Sequence, residues 1–267
     1  MRNIIVAAVV LVLGLSLWAG KVSITQAPQG ESEVDKYEIA DTTEGLLAVG
    51  EVEDEEPLED IPQFPESVNV LDAPEYNAVN ILKDPDRASE SIGSVFGDLM
   101  HVDIIDRLDN GFTMISAWDY HSMKTITGYV PTESIKTINP VGEYKVMVSL
   151  GEQKTYIYKD DQLDRVFVNS TGIDENSAYT PKGVYLIGDR GASFFSGKFQ
   201  QGGYNWVRFN NNYLFHSIPF DQNQDLIPEE AEKLGQKASH GCIRHSIEDA
   251  QWFYDNIQRG TLVLIQE

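Results

Sequence analysis

The chain has 267 residues, of which 42% are hydrophobic and 10% aromatic, enough for one large folded domain or two modest ones. Its formal net charge of -22 at pH 7 argues against a nucleic-acid-binding protein, because phosphates require a basic surface. The same charge argues against a protein that lies flat on anionic lipid. We therefore expect no nucleic-acid partner.

Residues 1–20 are predicted to be a signal peptide or membrane anchor. Arg2 precedes an uncharged apolar run from Ile4 to Gly20, which is typical of an export signal and just long enough to cross a bilayer. Leu17 or Trp18 would occupy the -3 position of a cut near the end of this run, which slightly favours an uncleaved anchor. We expect an extracytoplasmic protein that contacts the membrane through this segment if it is uncleaved.

Residues 21–75 are predicted to be an acidic linker. Between Glu31 and Glu75 there are sixteen acidic residues and a single base, Lys36. Like charges repel and proline stiffens the chain, so this composition favours an extended spacer without a packed core.

Residues 76–138 contain short β-like runs separated by Gly, Asp and Asn, such as "GFTMISAWDY" and "ITGYVPTESI". The pattern "VNILKDPD", a Gly-Asp turn after "SVF", and "GYV" near the end resemble the bacterial SH3-like domain. Lys83 stands where that family usually has arginine, and Phe112 where tryptophan is common. The resemblance implies a small SH3-like β-barrel and leaves its ligand open.

Residues 142–267 form a second predicted domain that is again mainly β, with "YKVMVSL", "KTYIYK" and "DRVFVNSTG" as consecutive strands. Two short helices are predicted. One begins at Pro228 and stops at Gly235. The other runs from Ser246, which forms a capping box with Asp249, to about Gln258.

The stretch "KASHGCIRHS", residues 237–246, contains the single cysteine of the chain. In an exported protein an unpaired thiol is a liability unless it is used. A nucleophilic cysteine requires a base and donors for the developing oxyanion. Because Gly241 lacks a Cβ, the backbone N–H groups of Gly241 and Cys242 are candidate oxyanion donors. The helix that follows Ser246 directs its positive dipole end towards the thiol.

The sequence "SHGCIR", with "FHS" upstream and "VNSTG" and "TPKG" earlier, resembles the L,D-transpeptidase (YkuD) catalytic domain over roughly Glu143 to Gln266. This resemblance implies a β-sandwich-like domain that needs no cofactor. The spacer from His216 to Ser239, which includes the Pro228 helix, is longer than is usual in the family and is expected to enlarge a lid over the cleft.

The resemblance implies an enzyme on the cell-wall side of a bacterial membrane that acts on peptidoglycan stem peptides. Cys242 would form a thioester with release of the terminal D-Ala, and the acyl group would pass to an amine of another stem. His216 would take the thiol proton and return it to the leaving amine. An imidazole base predicts a rate that rises with pH through the neutral range.

Further roles follow from the same resemblance. His240 would orient the cysteine loop, and Ser217 and Ser239 would hold imidazoles in the required tautomer. Arg244 would anchor a carboxylate, either of the substrate or of the fold. The predicted catalytic residues are Cys242, His216, His240, Gly241 and Ser239, and the predicted substrate-binding residues are Arg244, Ser217, Tyr213 and Thr180.

Three alternatives remain open at the level of sequence. Water in place of the acceptor amine would give an L,D-carboxypeptidase. His216, His240, Cys242 and His245 are zinc-compatible ligands, although their spacing lacks a paired C-x-x-C or H-x-x-x-H, and we predict no metal. The chain could instead be a non-catalytic cell-wall-binding protein, a reading that the intact signature disfavours.

Overall fold

A computed structural model describes residues 62–175 and 178–267. The predicted anchor at 1–20 lies outside these ranges, as does the acidic linker up to residue 61. Among the helices within these ranges, none has the length and apolar character needed to span a membrane.

The N-terminal β region, residues 68–138, contains seven strands in its described part. Five of them form an antiparallel sheet in the order β3-β2-β6-β5-β4, while β1 pairs with β7. Apolar side chains from both sets are fully buried together, among them Leu71, Ile81, Val95 and Ile115. The SH3-like assignment of this region stays a prediction. The strands are β1 Val68–Leu71, β2 Ala78–Leu82, β3 Ser91–Phe96, β4 Val102–Arg107, β5 Phe112–Asp119, β6 Lys124–Pro131 and β7 Ile135–Ile138.

The linker prediction is wrong over residues 68–71, which form β1 rather than an extended spacer. Val68 and Val70 are buried against Leu186 and Leu262. The acidic composition that argues against a core ends near Asp60, and the apolar run "VNVL" gains enough burial to pair as a strand.

The C-terminal β region, residues 144–266, contains two mixed sheets. The first has the order β10-β9-β8-β16-β11 and the second the order β12-β13-β14-β15. Two of the pairings are parallel, β8 with β16 and β14 with β15. The strands are β8 Tyr144–Ser149, β9 Lys154–Lys159, β10 Gln162–Val168, β11 Gly183–Leu186, β12 Arg190–Ser196, β13 Gln201–Asn210, β14 Tyr213–Ser217, β15 Ile243–His245 and β16 Leu262–Gln266.

The main core lies between these two sheets. Val146, Ile157 and Val263 from the first sheet share one cluster with Val207 and Phe215 from the second. Inward-facing side chains from two facing sheets define a sandwich. The predicted mainly β, sandwich-like fold is therefore confirmed.

The two predicted helices are both present but shorter than expected. The first, α1, spans Pro228–Ala231 and continues to Gly235 only as turns. The second, α2, spans Ile247–Asn256, and Ser246 Oγ accepts a hydrogen bond of 3.0 Å from the Asp249 N–H. That bond confirms Ser246 as the helix N-cap.

The two β regions are joined by a shared aromatic contact close to the predicted site. Trp118 of β5 packs edge-on against Tyr213 of β14 at 5.8 Å and against Tyr179 at 6.2 Å. Its side chain belongs to the main core cluster of the C-terminal β region. The ion pairs of Arg259 with Glu75 and Asp98 also link the two β regions. Part of the N-terminal β region therefore supports the strand that carries His216.

Candidate active site

The parallel pairing of β14 with β15 brings Cys242 and His216 to one face of the second sheet. Phe215 is in register with Ile243, and His216 with Arg244. Residues two apart on a strand point to the same face, so Cys242, which directly precedes β15, lies on the side of His216. Both side chains line the same cavity of about 670 Å³. The structure thus brings the two principal predicted residues together.

The imidazole of His216 is held in one tautomer by the backbone. Its Nδ1 lies 2.6 Å from the carbonyl oxygen of Ser217. A carbonyl can only accept, so Nδ1 carries the proton and Nε2 keeps a free lone pair. The edge-on ring of Phe194, with centroids 5.1 Å apart, fixes the ring plane. The arrangement leaves Nε2 free to act as a base.

Burial, reinforced by the positive charge of Arg244, lowers the pKa of His216 to about 3. The imidazole is therefore neutral across the physiological range. A neutral imidazole is the form that can accept a proton from a thiol.

The Cys242 thiol is half-buried and makes weak contacts with β14 and the turn before it. Its Sγ lies 3.8 Å from the carbonyl oxygen of Asn212 and accepts a hydrogen bond from the Leu214 N–H. Burial raises the pKa of the Cys242 thiol, and the Leu214 N–H and nearby arginines offset this only in part. Burial therefore outweighs any lowering of the Cys242 pKa by the positive end of the α2 dipole. The resting pair is a neutral thiol beside a neutral imidazole.

The loop Ser239–Cys242 is closed by the Ser239 side chain. Ser239 Oγ donates to the carbonyl oxygen of Cys242 at 2.5 Å and accepts from the Gly241 N–H at 2.9 Å. Two expectations are therefore corrected: Gly241 N–H is engaged by Ser239 and is not a free oxyanion donor, and Ser239 Oγ is engaged with the loop rather than with an imidazole. The Cys242 N–H remains the candidate donor.

Gly241 is required for the shape of this loop. Its φ of +123° is a conformation that side-chain-bearing residues rarely adopt. A Cβ at this position would lie 2.5 Å from Cε1 of Tyr213 and 2.8 Å from the Tyr179 carbonyl oxygen. Only glycine therefore fits at this position.

Thr180 stabilises the cysteine loop through its hydroxyl group. Its buried hydroxyl donates to the carbonyl oxygen of Gly241 at 2.8 Å and accepts from the Gly172 N–H at 2.9 Å. The "STG" and "TPKG" segments thus meet at the loop. Because this hydroxyl is buried and bonded on both sides, the structure places Thr180 in loop support rather than in substrate binding.

Arg244 is in register with His216 on the neighbouring parallel strand and is 4% exposed. Its guanidinium donates to a carboxylate oxygen of Glu230 in α1 at 2.5 Å. The sequence left open whether Arg244 pairs with a carboxylate of the substrate or of the fold. In the structure its partner is Glu230, a carboxylate of the fold. The predicted substrate-binding role of Arg244 is corrected accordingly.

Three further predicted residues surround the pair. Tyr213 and His240 line the cavity with Cys242, and the exposed ring of His240 stacks on Phe199 with centroids 4.0 Å apart. Ser217 holds His216 through its main-chain carbonyl. Its hydroxyl donates instead to the Ile218 carbonyl oxygen, so the expected contact from the Ser217 side chain is corrected.

His245 lies apart from these groups as a buried residue of β15. Its Nε2 is 2.9 Å from Thr155 Oγ1, and its ring packs among Phe167, Phe215 and Phe253. Within residues 62–175 and 178–267, no group of three or more His, Cys, Asp or Glu side chains is placed to hold a metal ion.

The β12–β13 hairpin supplies cavity residues that sequence reasoning missed. Phe194 and Phe199 line one wall, and Gly203 lets the hairpin approach the His216 ring closely. The adjacent pair Gly202 and Gly203 in a strand is a signal of close backbone approach that could have indicated this contact.

Residues 143–265 match the family model for the YkuD L,D-transpeptidase catalytic domain. Over 122 residues the chain is 44% identical to YciB of Bacillus subtilis (strain 168), which is assigned provisionally as an L,D-transpeptidase. That alignment covers 44% of this chain and 63% of the relative.

Solved structures with similarity to this chain include two bacterial proteins. One is a fused Zn-dependent amidase, peptidase and peptidoglycan-binding protein from Clostridium acetobutylicum, 27% identical, with a TM-score of 0.38, over 48% of this chain and 53% of that one. The other is an L,D-transpeptidase from Mycobacterium smegmatis, 14% identical, with a TM-score of 0.41, over 62% of this chain and 82% of that one.

The family match covers the strands that carry His216 and Cys242, as well as Thr180 and the loop that it supports. The N-terminal β region lies outside it, and the chain spans less than two thirds of the length of the YciB relative. Residues 143–265, a little under half of the chain, are thus similar to the L,D-transpeptidase catalytic domain of the YkuD family.

Proposed function

We propose that the protein is a cysteine-dependent L,D-transpeptidase that acts on peptidoglycan stem peptides. The observation that carries this proposal is the shared cavity of Cys242 and His216, in which the free Nε2 of the imidazole and the thiol lie on one face of adjacent parallel strands. A nucleophile beside an oriented base is the arrangement that acyl transfer requires.

In the proposed reaction, Cys242 Sγ attacks the carbonyl carbon of the third stem residue while its proton passes to Nε2 of His216. The tetrahedral oxyanion forms near the Cys242 N–H. The C–N bond then breaks, and the imidazolium gives its proton to the departing D-Ala amine. Because the Cys242 thiol and the His216 imidazole both start neutral, the proton is transferred as the sulfur attacks, and the resting enzyme does not need a thiolate.

The resulting thioester is resolved by an amine of another stem. The amine attacks the thioester carbonyl and loses its proton to His216, and the C–S bond breaks with the proton returned to the thiol. Water in place of the amine would give the carboxypeptidase reaction. The predicted export segment supports a location on the cell-wall side of the bacterial membrane, where the stems are found.

Mass spectrometry of products from a tetrapeptide stem, with and without an acceptor amine, tests the proposal. A cross-linked product that appears only with the acceptor, and is lost in Cys242→Ala, is the expected result. If the product is a trimmed tripeptide both with and without the acceptor, the protein is a carboxypeptidase rather than a transpeptidase. No change of the stem by the parent protein would overturn the proposal.

A further inference from the structure

The cavity that holds Cys242 and His216 is positively charged, in contrast to the chain as a whole. Lys198 and Arg208 are among its lining residues, whereas no Asp or Glu of the described part of the chain lines it. The full sequence has 42 acidic residues against 20 Lys and Arg. A cleft lined by one sign of charge raises the local concentration of ligands of the opposite sign. The cavity therefore favours an anionic ligand.

Lys198 is a cation of this cavity that is free to bind such a ligand. It lies in the turn of the β12–β13 hairpin, which the Gln200 N–H closes by donating to the Ser196 carbonyl oxygen at 2.8 Å. Its side chain is exposed and forms no ion pair with a carboxylate of the described residues. Seven other lysines do form such pairs, namely Lys83, Lys136, Lys145, Lys159, Lys182, Lys233 and Lys237. Lys198 thus offers its ammonium group to an external anion.

The position of Lys198 links it to the cysteine loop. Its Nζ is 4.9 Å from the centroid of the Phe199 ring, and that ring stacks on His240 with centroids 4.0 Å apart. His240 precedes Cys242 by two positions in the loop. Burial, together with the positive charges of Arg244 and Lys198, lowers the pKa of His240, so the ammonium group is close to this ring. An anion bound by Lys198 therefore lies on the side of the cavity where the cysteine loop is.

The other charged groups near this end of the cavity are already engaged. Arg208 donates through Nη1 to the Asn211 carbonyl oxygen, and its Nε is buried. Glu230, whose negative charge opposes that of Lys198 at the His240 ring, is paired with Arg244. Neither group competes with an external carboxylate for the Lys198 ammonium.

The ligand chemistry follows from the proposed function, on which this inference rests. An enzyme that releases the terminal D-Ala of a stem acts beside a free carboxylate, which is joined to the nitrogen of the scissile bond through a single carbon atom. We propose that Lys198 is a specificity residue that pairs with the C-terminal carboxylate of the donor stem. A lysine ammonium is a compact charge on a flexible side chain, so it can bind a carboxylate without a fixed mutual orientation.

The test compares a tetrapeptide stem with the same stem ending in a carboxamide. The full chain carries Cys242→Ala, so that binding is measured without reaction, by NMR titration at low ionic strength. We expect this protein to bind the acid about fivefold more tightly than the amide, the upper range for an exposed ion pair. Lys198→Met in the same background should remove that preference and leave the affinity for the amide unchanged, whereas Lys198→Arg should retain the preference.

Lys124→Met is the matched control. Lys124 is also exposed and forms no ion pair with the residues that the structure describes, but it does not line the cavity. Its replacement should leave the preference for the acid unchanged. An equal loss of affinity for both stems in Lys198→Met would assign Lys198 to the shape of the hairpin. A preference for the acid that survives Lys198→Met would place the carboxylate on another group.

Either of these two results overturns the proposed role of Lys198 and leaves the proposed function standing, because stem binding is still observed. Failure of the Cys242→Ala protein to bind either stem is a different result. It would overturn the proposed function, and the role of Lys198 with it.

Discussion

A Cβ added to Gly203 would lie 2.4 Å from Nδ1 of His216, closer than real side-chain contacts allow. The hairpin that carries Gly203 therefore sets the position of the imidazole, and the ring is clamped between that backbone and the Ser217 carbonyl oxygen. Gly203→Ala should displace the ring and reduce kcat by about tenfold or more, since catalytic geometry tolerates little displacement. Steady-state kinetics and the rate of thiol acylation by a carbapenem would measure the effect.

Gly197→Ala is the control for this substitution, because a Cβ there would meet nothing within 4 Å. It should leave both rates unchanged. If Gly203→Ala also retains parent rates, the hairpin does not position His216 and this account of the clamp is wrong.

Cys242→Ala should abolish acyl transfer while leaving the fold intact. The thiol is half-buried and its contacts are weak, at 3.8 Å to the Asn212 carbonyl oxygen, so we expect a loss of only about 1 kcal/mol in the free energy of unfolding. Product analysis checks the loss of acyl transfer, and thermal unfolding checks the stability of the fold. Cross-linking at the parent rate by this variant would remove the nucleophile from the mechanism.

The pH dependence of the acylation rate should differ from the rise through neutral pH that an ordinary imidazole predicts. Burial and Arg244 lower the pKa of His216 to about 3, and burial raises that of Cys242. The competent pair, neutral on both sides, is therefore populated from mildly acidic to neutral conditions, so kcat/KM should be flat there and decline only towards pH 3. A steep rise centred near pH 6.5 would show that the imidazole is not shielded in this way.

The free energy of unfolding should decrease as the pH falls below neutrality. His216 and His245 are both buried, with pKa values lowered to about 3, whereas in the unfolded chain they titrate near their usual 6.5. The unfolded state thus binds about two more protons between these values, a slope of up to about 2.7 kcal/mol per pH unit from these two groups. Urea unfolding across pH 4 to 7, at steps of about one unit, would measure it.

His245→Leu isolates one of these two groups, since His245 packs among apolar rings and is not in the cavity. The histidine contribution to the slope should fall by about half. An unchanged slope would mean that His245 is not the source of the second proton.

The ion pair of Arg244 with Glu230 joins α1 to the strand that follows Cys242. Its side chains are 5% and 13% exposed, so removing one charge leaves the other poorly compensated. Glu230→Gln should cost about 3 kcal/mol in the free energy of unfolding. Glu229→Gln, on the exposed side of the same helix, should cost little. Equal effects of the two substitutions would show that the pair does not anchor α1.

The parts of the site that were predictable from sequence are the ones that local pattern determines. The segment "SHGCIR" indicated the loop of the candidate nucleophile because its residues lie within one turn, and Ser246 indicated a helix start because capping is local. The strands from Tyr144 to Val168 followed from their β-rich composition.

What could not be predicted depends on contacts between distant segments. Nothing near Glu230 in sequence indicates that its partner is Arg244, and nothing near Thr180 indicates that its hydroxyl would donate to the Gly241 carbonyl oxygen. The contact of Gly203 with His216 depends on how a hairpin bends over the neighbouring strand. Charge composition also misjudged residues 68–71, because a few buried valines outweigh the acidic residues that precede them.

The position of Trp118 has a practical consequence for protein engineering. Its indole is supplied by a segment outside residues 143–265, yet it packs against Tyr213 beside the loop of Cys242. A fragment limited to residues 143–265 would lack the Trp118 indole, so the ring of Tyr213 beside the loop of Cys242 would lose this packing contact. The core of this domain therefore extends beyond the matched residues, and expression fragments should begin ahead of β1.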